Sequence, residues 1–199
     1  MTTVPDGARP WDRRSVVRQL VADRGDLLVV AGLGAAAYDL MAAGDHPSNF
    51  YLWGAMGSAA LVGLGLALAQ PRRPILVITG DGEQLMGLGG LATIAVQRPP
   101  NLAVVVLDNG RFGETGMQAS HTTLGTDLVA VARACGFDWS LDIAEEAGLR
   151  DMVRRNRQRG GCGFARVGVA PENPARILPP RDGVYLKNRF RQAIGLEIG

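Results

Sequence analysis

Residues 75–116 read ILVITGDGEQLMGLGGLATIAVQRPPNLAVVVLDNGRFGETG. A β-rich apolar run, Ile75 to Thr79, stops abruptly at Gly80-Asp81-Gly82, and a second, Leu102 to Leu107, stops at Asp108-Asn109-Gly110. Short apolar runs bounded by turn residues fit strands buried in a sheet. Between them Glu83 to Gln97 has helical character, and Pro99-Pro100 ends it because proline cannot continue a helix. Two strands joined by a helix therefore each carry a polar oxygen ligand at the carboxyl end, the edge where open α/β sheets bind ligands.

Outward from this unit the same alternation continues. Upstream, Arg13 to Arg24 spaces Val16, Val17, Leu20 and Val21 as an amphipathic helix. Leu27 to Ala31 is a short buried strand ending at Gly32-Leu33-Gly34, and Ala35 to Ala43 a helix. Gly44 to Asn49 is a turn holding His46, read either as a loop histidine or as a site residue near the next ligand edge. Phe50 to Trp53 is a strand broken at Gly54-Ala55-Met56-Gly57, and Ser58 to Gln70 a helix of small residues capped by Ser58 or close to it. Downstream, Asn109 to Thr126 has no period and reads as an active loop. Asp127–Ala134 is a helix, Phe137–Leu141 a strand, Ile143–Arg159 a helix with Arg150, Arg154 and Arg157 on a solvated side, and Gly163–Val169 the last strand. About six strands alternating with helices predict a parallel, doubly wound α/β sheet with helices on both faces. We expect a flexible arm over 1–12, one domain over 13–170, and a tail over 171–199 with a helix near Val184 to Ile194.

With 47% apolar residues a full core needs no metal or disulfide, and a net charge of +2 gives no reason to invoke nucleic acid. Cys135 and Cys162 form no CxxC pattern and read as reduced thiols of a cytoplasmic protein. The charge-free run from His46 to Pro71 is too rich in glycine for a membrane span and instead suggests close helix packing.

The chemistry sits at the two strand ends. Asp81 offers a hard anionic oxygen, and its flanking glycines let a ligand approach the backbone. Twenty-six residues separate Gly82 from Asn109, the length of one crossover helix and one strand, so Asn109 arrives beside Asp81. Carboxylate, amide oxygen, backbone carbonyl and phosphate oxygens suit Mg²⁺. Asp-Gly and Asn-Gly are each ordinary turn pairs, and only their joint placement after buried strands is informative.

Gly-Asp-Gly followed after 26 residues by Asn resembles the signature of thiamine diphosphate enzymes, and the likeness to their diphosphate-binding (PP) domain runs from about Arg13 to Val169. NFYLWGAMGSAALVGLGLALA, GDGEQLMGLGGLATIA and LDNGRFGETGMQASHT are similar to the group holding the sulfopyruvate decarboxylase β subunit and the matching half of phosphonopyruvate decarboxylase. The resemblance implies that Asp81 and Asn109 ligate Mg²⁺ by side chain and Arg111 by its carbonyl. Gly80, Gly82 and Glu83 would lie at the diphosphate, with Phe112 and Gly113 following at the cofactor. Within Gly54-Ala55-Met56, the Gly54 carbonyl would accept from the aminopyrimidine and Met56 would wedge beneath the bent cofactor. Glu83 departs from the family's usual Ser or Ala, so its amide is expected to serve rather than its carboxylate. Glu114, Thr115, Gln118 and His121 become candidates for the substrate wall, with His121 and Glu114 as catalytic candidates.

The family's activating glutamate belongs to a second, pyrimidine-binding (PYR) domain for which 199 residues leave no room. The resemblance thus implies a separate PYR subunit, an α₂β₂ assembly, and a small anionic 2-oxo acid as substrate, with no nucleic acid and no membrane. Decarboxylation, carboligation of the acetolactate synthase kind, and a non-catalytic cofactor-binding role stay open. A nucleotide-binding Rossmann domain is disfavoured because no GxGxxG follows the first strand.

Overall fold

The structure, a computed structural model, describes residues 11–197. Its centre is a six-stranded, wholly parallel sheet in the order β2-β1-β3-β4-β8-β7. The strands are β1 (Leu28–Ala31), β2 (Asn49–Tyr51), β3 (Ile75–Gly80), β4 (Leu102–Asp108), β7 (Trp139–Ile143) and β8 (Gly163–Gly168). Alternate side chains divide two cores. Val29, Leu76, Ile78 and Val105 pack under α1 (Arg13–Val21), α2 (Ala35–Ala42) and α7 (Glu146–Arg157). Val30, Ile75, Val77 and Val104 pack under α3 (Ala59–Ala69), α5 (Gly90–Gln97) and α6 (Leu128–Cys135). The chain leaves β1 over one face and returns to β3 over the other, so the carboxyl ends of β1 and β3 part at a topological switch point.

Local chemistry fixes the ends. Asp12 accepts from the Ser15 amide at 2.6 Å and starts α1, and Asp127 accepts from the Ala130 amide at 2.9 Å and starts α6. Ser58 makes no side-chain cap on α3, contrary to expectation, and the cap comes from Glu83 on another element. The predicted helix 83–97 is two helices, α4 (Asp81–Met86) and α5, because Gly87 meets the backbone of Gly57 so closely that a Cβ at Gly87 would overlap the Gly57 carbonyl. The loop after β4 holds a small antiparallel hairpin, β5 (Arg111–Phe112) with β6 (Gln118–Ala119), and a 3-10 turn, His121–Leu124.

Residues 1–10 of the predicted arm lie outside the described residues, but its last two positions are structured: Trp11 bridges Val169 and Asp12 is the α1 cap. The segment after Val169 is not a loose tail. Trp53 donates to the Pro180 carbonyl at 2.9 Å, Asn173 reaches Met117, and Asp182 starts α8 (Gly183–Ala193), which covers edge strand β2. Arg150 and Arg154 are solvated beside Glu146 and Asp151, but Arg157 reaches back to the Leu20 carbonyl at 3.0 Å. No described helix is long and apolar enough to cross a membrane.

Candidate functional site

The carboxyl ends of β1, β3, β4 and β8 surround one cavity of about 350 Å³. The pairing of Gly80 with Leu107 sets Asp81 beside Asp108 and brings Asn109 to the same rim. Glycine is used here for clearance. A Cβ on Gly82 would lie 2.8 Å from Phe112 Cδ1, so glycine lets that ring lie against the first turn of α4. A Cβ on Gly32 would overlap the Glu83 carboxylate, and one on Gly34 would stand 3.1 Å from Glu114 Oε1.

Asp81 is 2% exposed, and the Ser120 hydroxyl donates to its Oδ2, with the Thr122 hydroxyl oxygen 3.5 Å away. Thr122 gives its single proton to Asp108 Oδ1 at 2.9 Å, and Arg166 donates to Asp108 Oδ2 at 2.5 Å. Asp108 thus has a cation of its own, whereas Asp81 has none in contact among the described residues. Burial, with the nearby Asp108 charge adding to it and the Ser120 hydroxyl opposing it, pushes the Asp81 carboxyl up to about 6. A buried carboxylate fixed by a hydroxyl and lacking a counter-ion fits a divalent cation. Asn109, whose amide oxygen accepts from the Arg111 amide at 2.9 Å, and Arg111 line the same wall and could add hard oxygen donors, a lean set that leaves room for phosphate oxygens and water. Among the described residues no cluster of three or more His, Cys, Asp or Glu side chains competes with it.

Glu83, two residues on, is as deeply buried but fully engaged. Oε1 accepts from the Ala59 amide at 3.0 Å and Oε2 accepts from the Thr79 hydroxyl, and the Gly57 and Ser58 amides help favour the charged form. Desolvation raises its carboxyl, and the Thr79 hydroxyl and these amides oppose the rise.

The cavity gathers most of the residues chosen from the sequence. Gly80, Asp81, Gly82 and Glu83 line it from α4, and Met56 lines it from the preceding turn. Asn109, Arg111, Phe112, Gly113, Glu114 and Thr115 line it from the loop after β4. Gly54 and Ala55 are in the turn leading to Met56 but not on the wall, and Gly54 holds a φ of 73°. Gln118 is exposed, bonded to Thr115, and off the wall. His121 is exposed and stacks edge-on against Phe112 at 5.9 Å; in Ser120-His121-Thr122 the flanking hydroxyls turn inward and the imidazole outward. Glu114 is not free, since Arg176 holds it at 3.1 Å. His46 precedes β2, and in a parallel sheet that puts it at the amino edge, away from the cavity, where its Nδ1 accepts from the Ser48 amide at 3.0 Å.

Several residues here escape sequence reading. Asp108, Ser120, Thr122 and Arg166 form the support beneath Asp81, and Asn173 to Arg176 form a wall from beyond the expected domain boundary. Asp108 carried a usable signal, as an acid closing a buried strand immediately before Asn109. Arg166 also had one, a charge inside an otherwise apolar strand.

Residues 32–167 match the family described as the C-terminal TPP binding domain of thiamine pyrophosphate enzymes. A Methanothermobacter thermautotrophicus protein named sulfopyruvate decarboxylase subunit beta is 38% identical over 179 residues, 90% of this chain and 93% of its own. Phosphonopyruvate decarboxylase of Streptomyces viridochromogenes is 45% identical over 130 residues, 65% of this chain and 32% of its own. Among solved structures, benzoylformate decarboxylase from Polynucleobacter necessarius aligns with a TM-score of 0.68 at 21% identity, over 88% of this chain and 36% of that one, a likeness of fold.

Proposed function

The chain belongs to the thiamine pyrophosphate enzymes through their C-terminal cofactor-binding domain, and from that premise we propose that it is the cofactor-binding subunit of a split 2-oxo acid decarboxylase. Its substrate is a small anionic 2-oxo acid such as sulfopyruvate or phosphonopyruvate. The observation that carries this reading is the relative named sulfopyruvate decarboxylase subunit beta, which this chain matches over 93% of its length.

Thiamine diphosphate, when bound, supplies the carbanion that adds to the substrate carbonyl and accepts the electron pair released with CO₂. The chain's own part is grip and environment. Asp81 and Asn109 by side chain, and Arg111 by carbonyl, would hold Mg²⁺ against the diphosphate. Ser120 fixes the Asp81 carboxylate before a ligand arrives, with Thr122 bonded beside it to Asp108, so little reorganisation is needed on binding. Phe112 walls the cavity on the loop side, and Met56, 41% exposed on the same wall, would give the cofactor's rings an apolar contact.

A second, PYR-type subunit would bring the activating glutamate, in an α₂β₂ assembly. The outer side of the helix layer α3–α5 supports this. Leu61, Leu68, Met86 and Val96 on α3, α4 and α5 are 41–82% exposed, and residues 47–71 carry no charged side chain. Apolar surface of this extent commonly marks an interface. The test is to co-produce the chain with a PYR-type subunit and to measure CO₂ release from sulfopyruvate with thiamine diphosphate and Mg²⁺. Free aldehyde formed without an acceptor is the expected result. Product that forms only with an acceptor would assign carboligation instead, and no turnover of any 2-oxo acid would sink the proposal.

A further inference from the structure

Glu83 presents a physical oddity that the cofactor reading leaves unexplained: a carboxylate placed beside the seat of a diphosphate. Three observations account for it. First, α3 has no cap from its own Ser58, and its first amide, that of Ala59, donates to Glu83 Oε1 at 3.0 Å, with the Gly57 and Ser58 amides next to it in the chain. An anion at a helix start satisfies orphan amides and complements the helix dipole. Second, the carboxylate is built in: Glu83 is 4% exposed, Thr79 donates to Oε2, and Gly32 is the residue at the end of β1 that leaves it room. The Gly-x-Gly after β1 therefore clears space for a side chain. Third, the turn so held is the one that carries Met56, and its other side rests on α4 through the Gly57–Gly87 backbone contact.

We propose that Glu83 is a positioning residue whose carboxylate clamps the Gly54–Ser58 turn to the Gly80–Gly82 turn and so holds Met56 at the cavity, while its negative charge disfavours the diphosphate itself. The two effects have opposite signs on two ligands. The clamp serves the ring-bearing part of thiamine diphosphate through Met56, and the charge acts on any diphosphate.

This inference rests on the thiamine diphosphate reading of the site, and calorimetry on the assembled complex separates the two. The probes are thiamine diphosphate and inorganic pyrophosphate, each with Mg²⁺. Glu83→Ala should weaken thiamine diphosphate roughly tenfold, as expected for loss of buried hydrogen bonds at a positioning contact, while pyrophosphate binds as well or more tightly. Glu83→Gln keeps acceptor oxygen and drops the charge, so both ligands should bind as tightly as in the wild type or more tightly. Gly32→Ala, which displaces the carboxylate without removing it, should weaken thiamine diphosphate without tightening pyrophosphate. In the full chain without cofactor, hydrogen exchange at the amides of Gly57, Ser58 and Ala59 should speed up in Glu83→Ala and Gly32→Ala and stay slow in Glu83→Gln. In Glu83→Ala, parallel weakening of both ligands, parallel tightening, or unchanged exchange at residues 57–59 overturns the proposal. A wild-type complex that binds neither ligand overturns the cofactor reading itself.

Discussion

Asp81 and Glu83 stand two residues apart on the first turn of α4, both carboxylates, both nearly inaccessible at 2% and 4% exposure, and both raised by burial. Their surroundings give them opposite roles. Asp81 is held through Oδ2 by the Ser120 hydroxyl and has no cation in contact among the described residues. Glu83 is engaged at both oxygens, by a hydroxyl on Oε2 and by the first amide of α3 on Oε1. A buried charge is thus diagnostic only through its partners: one that lacks a counter-ion belongs to a ligand, and one that is engaged at both oxygens belongs to the fold.

The severest way to break this contrast is to strip the support from the first side. Arg166→Met leaves Asp108 buried with no cation, which should lower unfolding stability by about 3 kcal/mol in urea titrations and push Asp81 further toward its protonated form. Next, Asp81→Asn should weaken Mg²⁺–thiamine diphosphate binding by roughly 100-fold in calorimetry, because a charge-assisted metal ligand becomes a neutral one; a change of less than about threefold would remove Asp81 from the metal site.

The pH dependence sharpens the same side. The Asp81 carboxyl sits at about 6 in the fold against an ordinary 3.8, so the folded chain holds that proton more tightly than the unfolded chain. Its contribution to stability is complete below the ordinary value and is lost as pH rises through about 6. The metal-free chain should therefore lose up to about 3 kcal/mol between pH 4 and 7 in denaturant titrations. Asp81→Asn should flatten most of that slope, leaving the part owed to Glu83 and Asp39, which are raised in the same direction. The smallest effect belongs to a charge with no burial: Arg150→Ala, which breaks only a solvated pair with Glu146, should change stability by less than about 0.5 kcal/mol.

How much of this was legible beforehand follows from range along the chain. The sheet, its parallel sense and the meeting of Asp81 with Asn109 depend on one strand–helix–strand unit, and local periodicity carries that information. The support beneath Asp81 does not, because Ser120, Thr122 and Arg166 arrive from 39 or more residues away, and even the one local mark among them, a charge at 166 inside an apolar strand, does not say which residue it meets. His121 looked more chemical than its neighbours, yet a tight turn presents alternate side chains to opposite sides, and the hydroxyls took the inside. His46 is a loop histidine, the first of its two readings, for a simple reason: in a parallel sheet every residue that precedes a strand lies at the edge opposite the ligands. The break at Gly87 was visible in Gly87-Leu88-Gly89-Gly90, where three glycines in four residues defeat a continuous helix. The role of the Glu83 side chain was beyond local reading, since it depends on an empty place beside residue 32.

That empty place makes two distant positions one unit. A Cβ at position 32 would overlap the carboxylate seated from position 83, so any side chain there forces that carboxylate to shift. With both residues present, changing either one alone loosens the turn that carries Met56, so the two positions, far apart in the sequence, behave as a single part.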